Sequence, residues 1–300
     1  MDYLYLLEKI RNPFFDKLFA VITELGYELV ALGVICIIFW CINKNTAYKI
    51  GFAYFASGML IQGLKITFRV DRPWIKDPNF KPVGNAIEKA TGYSFPSGHT
   101  QSATTLFGSL AIILKKTWAK VLCVVLFLLV GFSRNYLGVH YASDVIVSML
   151  LSLICVFVFV KIFEKIENNK KYDWLVALVL IAVSVGVCIY SFVLKGKGII
   201  TEAKYVEDCC KTAGAGIGFA IGWFVERKWI GFVEKTPKMW HQIVKVIIGI
   251  AITLALKELP KKLFGDTAVV GLIRYMLVTL WVCGIYPFIL KKVFNNKETE

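Results

Sequence analysis

The sequence predicts an all-α protein, a polytopic transmembrane helical bundle, and three observations carry that expectation. Of 300 residues, 57% are hydrophobic and 19% charged, a balance foreign to ordinary soluble domains. The apolar residues come in long runs instead of at amphipathic spacing. Residues 175–194 carry no charge and have the length a helix needs to cross a hydrocarbon core of ~30 Å. Trp40, Trp118, Trp174, Trp229 and Trp240 stand at run ends, where amphipathic rings settle at headgroup level.

Taken in order, residues 1–17 form an interfacial amphipathic segment ending at Asn12 and Pro13. The start, Met1-Asp2-Tyr3, has neither the basic region nor the cleavage site of a signal peptide, so insertion is expected to rely on the first span. That span covers about 18–42 and carries Glu24 and Glu28, whose carboxylates need protein partners or the interface. The second runs over 46–68. Residues 69–98 are the longest polar stretch, rich in Pro, Gly and Lys, where a site outside the hydrocarbon would be built. Spans over 99–115, 118–137, 140–163 and 174–194 follow, then 209–225, 240–258 and 268–290, nine in all. In the seventh, Gly214, Gly218 and Gly222 recur every fourth residue, which lets another helix approach closely. Packing within the chain is the expectation; the ridge would permit a homodimer, but none is predicted.

Sorting the loops alternately to two sides gathers Lys44, Lys115, Lys116, Lys165, Lys170, Lys171, Arg227, Lys228, Lys291 and Lys292 on one face. Basic residues beside spans mark the cytoplasmic side. The 69–98 loop and the 134–140 connection then lie on the non-cytoplasmic face of a cell membrane. The net charge of +14 does not imply nucleic acid, because the lysines fall in short loops and form no stripe beside base-stacking aromatics; membrane lipids are the expected partners. Of eight cysteines, Cys36, Cys41, Cys123, Cys155, Cys188 and Cys283 lie inside apolar runs, and no C-x-x-C pair occurs. Adjacent Cys209 and Cys210 have no role assigned. No compact His, Asp and Glu cluster has ligand spacing, so neither metal nor cofactor is expected.

Three polar clusters carry the chemistry. Lys65 lies near the end of the second span and Arg72 just beyond it, before Pro73; the proline holds Arg72 in extended backbone, from which it can reach inward. Pro96-Ser97-Gly98-His99 leads into an uncharged run. Ser97 suits an N-cap, Gly98 permits close backbone approach, and the helix N-terminus attracts an anion. Ser133-Arg134 is followed by His140 and Asp144. The last two are four apart, hence on one helical face, where the carboxylate can accept one ring N–H and aim the other nitrogen as a nucleophile. The third histidine, His241 beside Trp240 at the start of a span, reads as an interfacial residue.

In order and spacing these clusters, which cover residues 65–144, resemble the type-2 phosphatidic acid phosphatase family, integral-membrane enzymes related to soluble acid phosphatases and vanadium haloperoxidases. The resemblance implies a core of about six helices over 18–194, with residues 195–300 as extra C-terminal spans of unassigned role. It implies that His140 attacks phosphorus to give a phosphohistidine, Asp144 orients it, and His99 protonates the departing lipid oxygen, with a bell-shaped pH profile following from the two histidine roles. Lys65, Arg72, Ser97, the Gly98 amide and Arg134 would hold the non-bridging oxygens. The implied activity is hydrolysis of a lipid phosphate or diphosphate such as undecaprenyl diphosphate, phosphatidate or phosphatidylglycerol phosphate. A lipid phosphotransferase using the same site is the nearest alternative. A non-enzymatic lipid-binding or transport protein is another, disfavoured because a binding pocket has no need of a nucleophile and an acid.

Overall fold

A computed structural model describes residues 1–88, 90–236 and 238–295, and these form helices joined by turns and one long loop, with no strand among the described residues. A short amphipathic helix, α1 (Asp2–Lys9), precedes α2 (Pro13–Glu24). Asn12 caps α2, its Oδ1 accepting from Phe15 N at 3.1 Å, and Pro13 occupies the first helical position, where its missing N–H costs nothing. The expected first span is not continuous. It consists of α2 and α3 (Glu28–Ile42), which meet at 47°. A Cβ on Gly26, between them, would lie 2.7 Å from His99 O and 2.8 Å from Val130 Cγ1, so the bend carries the backbone of a glycine against the segment holding His99.

The buried centre of the bundle is α4 (Lys44–Phe68), whose Ile50, Phe52, Ala53 and Met59 are fully enclosed. Around it stand α6 (Gly98–Ile113), α8 (Ala142–Ile166), α9 (Asp173–Gly196) and α10 (Ala203–Val225). Before α6, the long loop contains α5 (Pro73–Lys76). The peripheral α7 (Thr117–Tyr136) packs on α6 and α2. The chain closes with α11 (Met239–Phe264) and α12 (Ala268–Phe294); α12 lies along α10 and α11.

Four of these helices are long and apolar enough to cross a membrane: α7, α8, the stretch Lys170–Gly196 containing α9, and α12; the bent pair α2 and α3 makes a fifth. The remaining predicted spans are helices too, but more polar or shorter. Their position explains it. Gln101, Ser102, Thr105 and Ser109 of α6 are buried, with Gln101 Nε2 donating to Ser57 Oγ at 2.8 Å and Ser57 sharing a 3.0 Å bond with Thr105. Polar side chains bonded between helices avoid the penalty of facing lipid, whereas Leu128 of α7, Ile154 and Phe157 of α8 and Leu178 of α9 are exposed.

The glycine ridge packs within the chain. Any Cβ on Gly214 or Gly218 would collide with the backbone carbonyls of Leu272 and Met276 on α12, and one on Gly222 would lie 2.9 Å from Cys283 Cβ. Glu28 finds the partners its carboxylate needs in Lys257 Nζ at 2.9 Å and Tyr275 OH at 3.0 Å. At one end of the bundle the basic residues gather as the loop sorting requires: Lys44 pairs with Glu226 at 3.0 Å, Arg227 with Asp173 at 2.6 Å, and Lys170 Nζ donates to Arg227 O at 2.8 Å. The three polar clusters lie at the other end.

Candidate active site

Chain direction brings the clusters together: α4 ends where α6 and α8 begin and α7 ends. Lys65, Arg72, Gly98, His99, Arg134 and His140 line one cavity of about 600 Å³. Ser97 and Asp144 stand directly behind them, both buried.

His140 occupies the turn between α7 and α8. Its Nδ1 lies 3.2 Å from Asp144 Oδ2, one helical turn on, and its Nε2 lies 2.9 Å from Arg72 Nη1. A guanidinium only donates, so Nε2 accepts and the ring proton sits on Nδ1, facing the carboxylate. Burial and then the neighbouring charges of Arg72, Arg134 and Lys65 hold the imidazole well below its ordinary pKa, so it is neutral at neutral pH. Asp144 Oδ2 also accepts from Ser94 Oγ and from Tyr141 N at 3.0 Å, which fixes the carboxylate against the ring. The side-chain amide of Asn135 donates to His140 O at 3.0 Å, pinning the turn itself.

Arg72 is clamped on several sides. Its Nε donates to Gly92 O at 3.0 Å, Nη2 to Thr91 O at 2.6 Å and Nη1 to Val139 O at 2.8 Å. Burial lowers its pKa to about 10, which leaves it charged at neutral pH. Gly92 has φ +72, a left-handed conformation that costs other residues about 1–2 kcal/mol; it turns the carbonyl toward Arg72. Lys65 Nζ donates to Tyr93 O at 2.6 Å. Arg134 Nη1 donates to Thr23 Oγ1 of α2 at 2.7 Å, while its Nε is buried with no hydrogen-bond partner.

Ser97 Oγ caps α6, accepting from Thr100 N at 3.4 Å and from Thr100 Oγ1 at 2.9 Å. Of the two tasks expected of this serine, cap and phosphate ligand, the geometry supports the first. Its backbone is tied to α8, with Ser97 N donating to Asp144 O at 3.2 Å and Ser148 Oγ to Ser97 O at 2.7 Å. A Cβ at Gly98 would meet no atom within 4 Å, and Gly98 and His99, at the first turn of α6, both line the cavity. His99 is half-buried there, its ring 5.8 Å from that of Tyr27.

The sequence reasoning missed Ser94, Asn135 and Thr23. Ser94 lies three residues before Ser97, and Asn135 adjoins Arg134, so adjacency to the motifs was the available signal. Thr23 had none, because it arrives from a distant helix. Among the described residues no group of three or more His, Cys, Asp or Glu side chains could hold a metal ion.

Membrane-crossing helices that enclose a neutral imidazole, its carboxylate and a ring of cations define an integral-membrane phosphatase. The chain belongs to the PAP2 superfamily: the superfamily profile matches residues 46–168, and a second profile, PAP2 superfamily phosphatase, transmembrane extension, matches residues 210–298. Phosphatidylglycerophosphatase B of Bacillus subtilis is 28% identical over 54% of this chain and 82% of its own length. Undecaprenyl-diphosphatase BcrC of the same organism is 30% identical over 49% of this chain and 75% of its own. Sphingosine-1-phosphate phosphatase 1 of Rattus norvegicus is 27% identical over 72% of this chain and 50% of its own.

Proposed function

We propose that this protein hydrolyses a lipid phosphate or diphosphate through a covalent phosphohistidine on His140. The observation that carries the reading is the neutral imidazole with Nδ1 bonded to Asp144 and Nε2 turned to Arg72. A phosphate drawn to Arg72 accepts the hydrogen bond that Nη1 gave to His140, the guanidinium keeps its protons and charge, and the Nε2 lone pair is free for attack. The N–P bond forms, the P–O bond to the lipid breaks, and His99 gives its proton to the departing oxygen. Asp144 stabilises the positive charge that develops on the ring. In the second half His99 takes a proton from water, the resulting hydroxide attacks phosphorus, and the N–P bond breaks to release inorganic phosphate.

Lys65, Arg72, Arg134 and the Gly98 amide hold the non-bridging oxygens, with Ser97 fixing the helix terminus that presents the amide. Fixed positive charge aimed at the transferring group is the main requirement of phosphoryl transfer. These cations take the part that divalent ions play in many phosphatases, so EDTA is expected to leave turnover unchanged; loss restored by a divalent ion would overturn that part of the reading. The relatives act, by their names, on phosphatidylglycerophosphate, undecaprenyl diphosphate and sphingosine 1-phosphate, and what these share is a phosphate on a lipid. The site lies on the non-cytoplasmic face of the cell membrane; the basic residues at the opposite end of the bundle support this placement.

The test is chemical trapping. Rapid acid-free quenching during turnover of a phosphorus-labelled lipid phosphate should leave acid-labile label on the wild-type protein and none on His140→Ala. Parental hydrolysis by the variant would remove the nucleophile from the mechanism.

A further inference from the structure

The cavity that holds the proposed phosphate site does not end there. It continues down the length of α4, lined by Lys65 at one end and by Ala47 and Tyr48 at the other. At ~1.5 Å per residue, Lys65 and Tyr48 are ~25 Å apart along the helix axis, close to the ~30 Å thickness of a hydrocarbon core. Four helices each turn one face to it. On α3 the lining residues Leu29, Leu32, Ile35 and Phe39 recur at three and four, as do Thr212, Ala215 and Phe219 on α10 and Tyr275, Val278 and Val282 on α12. From α4 come Phe55, Gly58 and Ile61.

Two walls of this passage, α10 and α12, come from the C-terminal extension, and the glycine ridge seals the seam between them by bringing the backbones into contact. At the far end stands Tyr48, whose hydroxyl bonds Glu226, itself paired with Lys44. The near end adjoins His99 and α3, where Tyr27 packs on the imidazole. His99, the proposed acid, thus lines the same cavity as Leu29, Leu32 and Ile35 of α3.

We propose that residues of the C-terminal extension complete an intramembrane channel that takes a hydrocarbon tail of the lipid substrate, with its phosphate at His140 and its end near Tyr48. The proposal rests on the phosphatase reading and adds a role for the C-terminal extension: its helices hold the hydrocarbon chain and make turnover depend on chain length. The end at Lys65 and Arg72 is charged, with Asp208, Lys211, Asp266 and Arg274 also lining the cavity. Beyond it the lining of Ile35, Phe39, Phe55, Ala215, Phe219, Val278 and Val282 is apolar, which matches an amphiphile with a charged head and a hydrocarbon tail. Ala215 and Val278 lie midway, one on each extension wall, distant in the chain from every proposed catalytic residue.

The test compares octadecyl phosphate with hexyl phosphate on the purified full-length protein in detergent, for the wild type, Ala215→Phe and Val278→Trp. Wild-type release of phosphate from hexyl phosphate reports the phosphatase reading by itself; its absence from both substrates would sink that reading. The channel predicts a wild-type kcat/KM higher for octadecyl phosphate by about tenfold or more. It predicts that each variant loses most of that preference while its hexyl phosphate turnover stays within about twofold of the parent. An unchanged ratio in both variants would overturn the channel. So would a fall of equal size on both substrates, which would tie these walls to the chemistry or the fold instead of to the tail.

Discussion

At the scale of single residues, the site is a set of charges whose protonation follows from burial. His140 is held neutral because charging it would strand a cation among Arg72, Arg134 and Lys65 away from water. The proposed mechanism needs His140 unprotonated, and its pKa lies below the usual value. The acid limb of kcat/KM is therefore expected below the ordinary histidine range: the rate should persist as pH falls through ~6.5 and decline only further down. A pH profile of phosphate release with its acid midpoint at or above ~6.5 would contradict this. His140→Ala should lower kcat by about 10³-fold or more, since a nucleophile has no substitute within its set. Ser94 Oγ donates to Asp144 Oδ2, and on the proposed mechanism Ser94→Ala should lower kcat by about 10-fold, roughly 1.4 kcal/mol, with KM little changed. Restoration by Ser94→Thr would separate the hydrogen bond from the loss of packing.

At the scale of elements, α10 and α12 meet backbone to backbone because Gly214, Gly218 and Gly222 of α10 lack a Cβ. Gly218→Ala pushes a methyl into the Met276 carbonyl, which α12 cannot move away from without losing its other contacts. Overpacking of this kind costs about 1–3 kcal/mol, so the thermal midpoint in detergent should fall. A methyl on Gly186 in α9 would meet no atom within 4 Å, and Gly186→Ala should leave the midpoint unchanged or raise it slightly. Equal midpoints for the two variants would refute the close seam. The extension also reaches the end that holds the candidate site: Tyr205 of α10 stacks on Tyr93 at 4.1 Å, and Tyr93 supplies the carbonyl that holds Lys65.

For the whole molecule, orientation is the property to test. Asn79 in the long loop and Lys116 between α6 and α7 are both exposed, and the proposed topology puts them on opposite sides. In intact cells a membrane-impermeant maleimide should label Asn79→Cys, while Lys116→Cys should react only after lysis. The reverse pattern would move the site to the cytoplasm.

Hydrophobic runs and short polar clusters are local signals, and the helical membrane class, the approximate position of nearly every helix and the three polar clusters that meet at the candidate site, though not Ser94, Asn135 or Thr23, could be read from them along the chain. Pairing of His140 with Asp144 was legible for the same reason: four residues make one helical turn. The break at Gly26, the clamp of Thr91 and Gly92 on Arg72, and the reach of Thr23 to Arg134 belong to the folded chain and had no signal in spacing. Folding also made α4, α6 and α10 interior helices, with the polar side chains of α4 and α6 bonded to one another, and it set the extension against the core around one cavity. Each of these depends on which helix faces which across the bundle, and the order of residues along a chain carries no record of that.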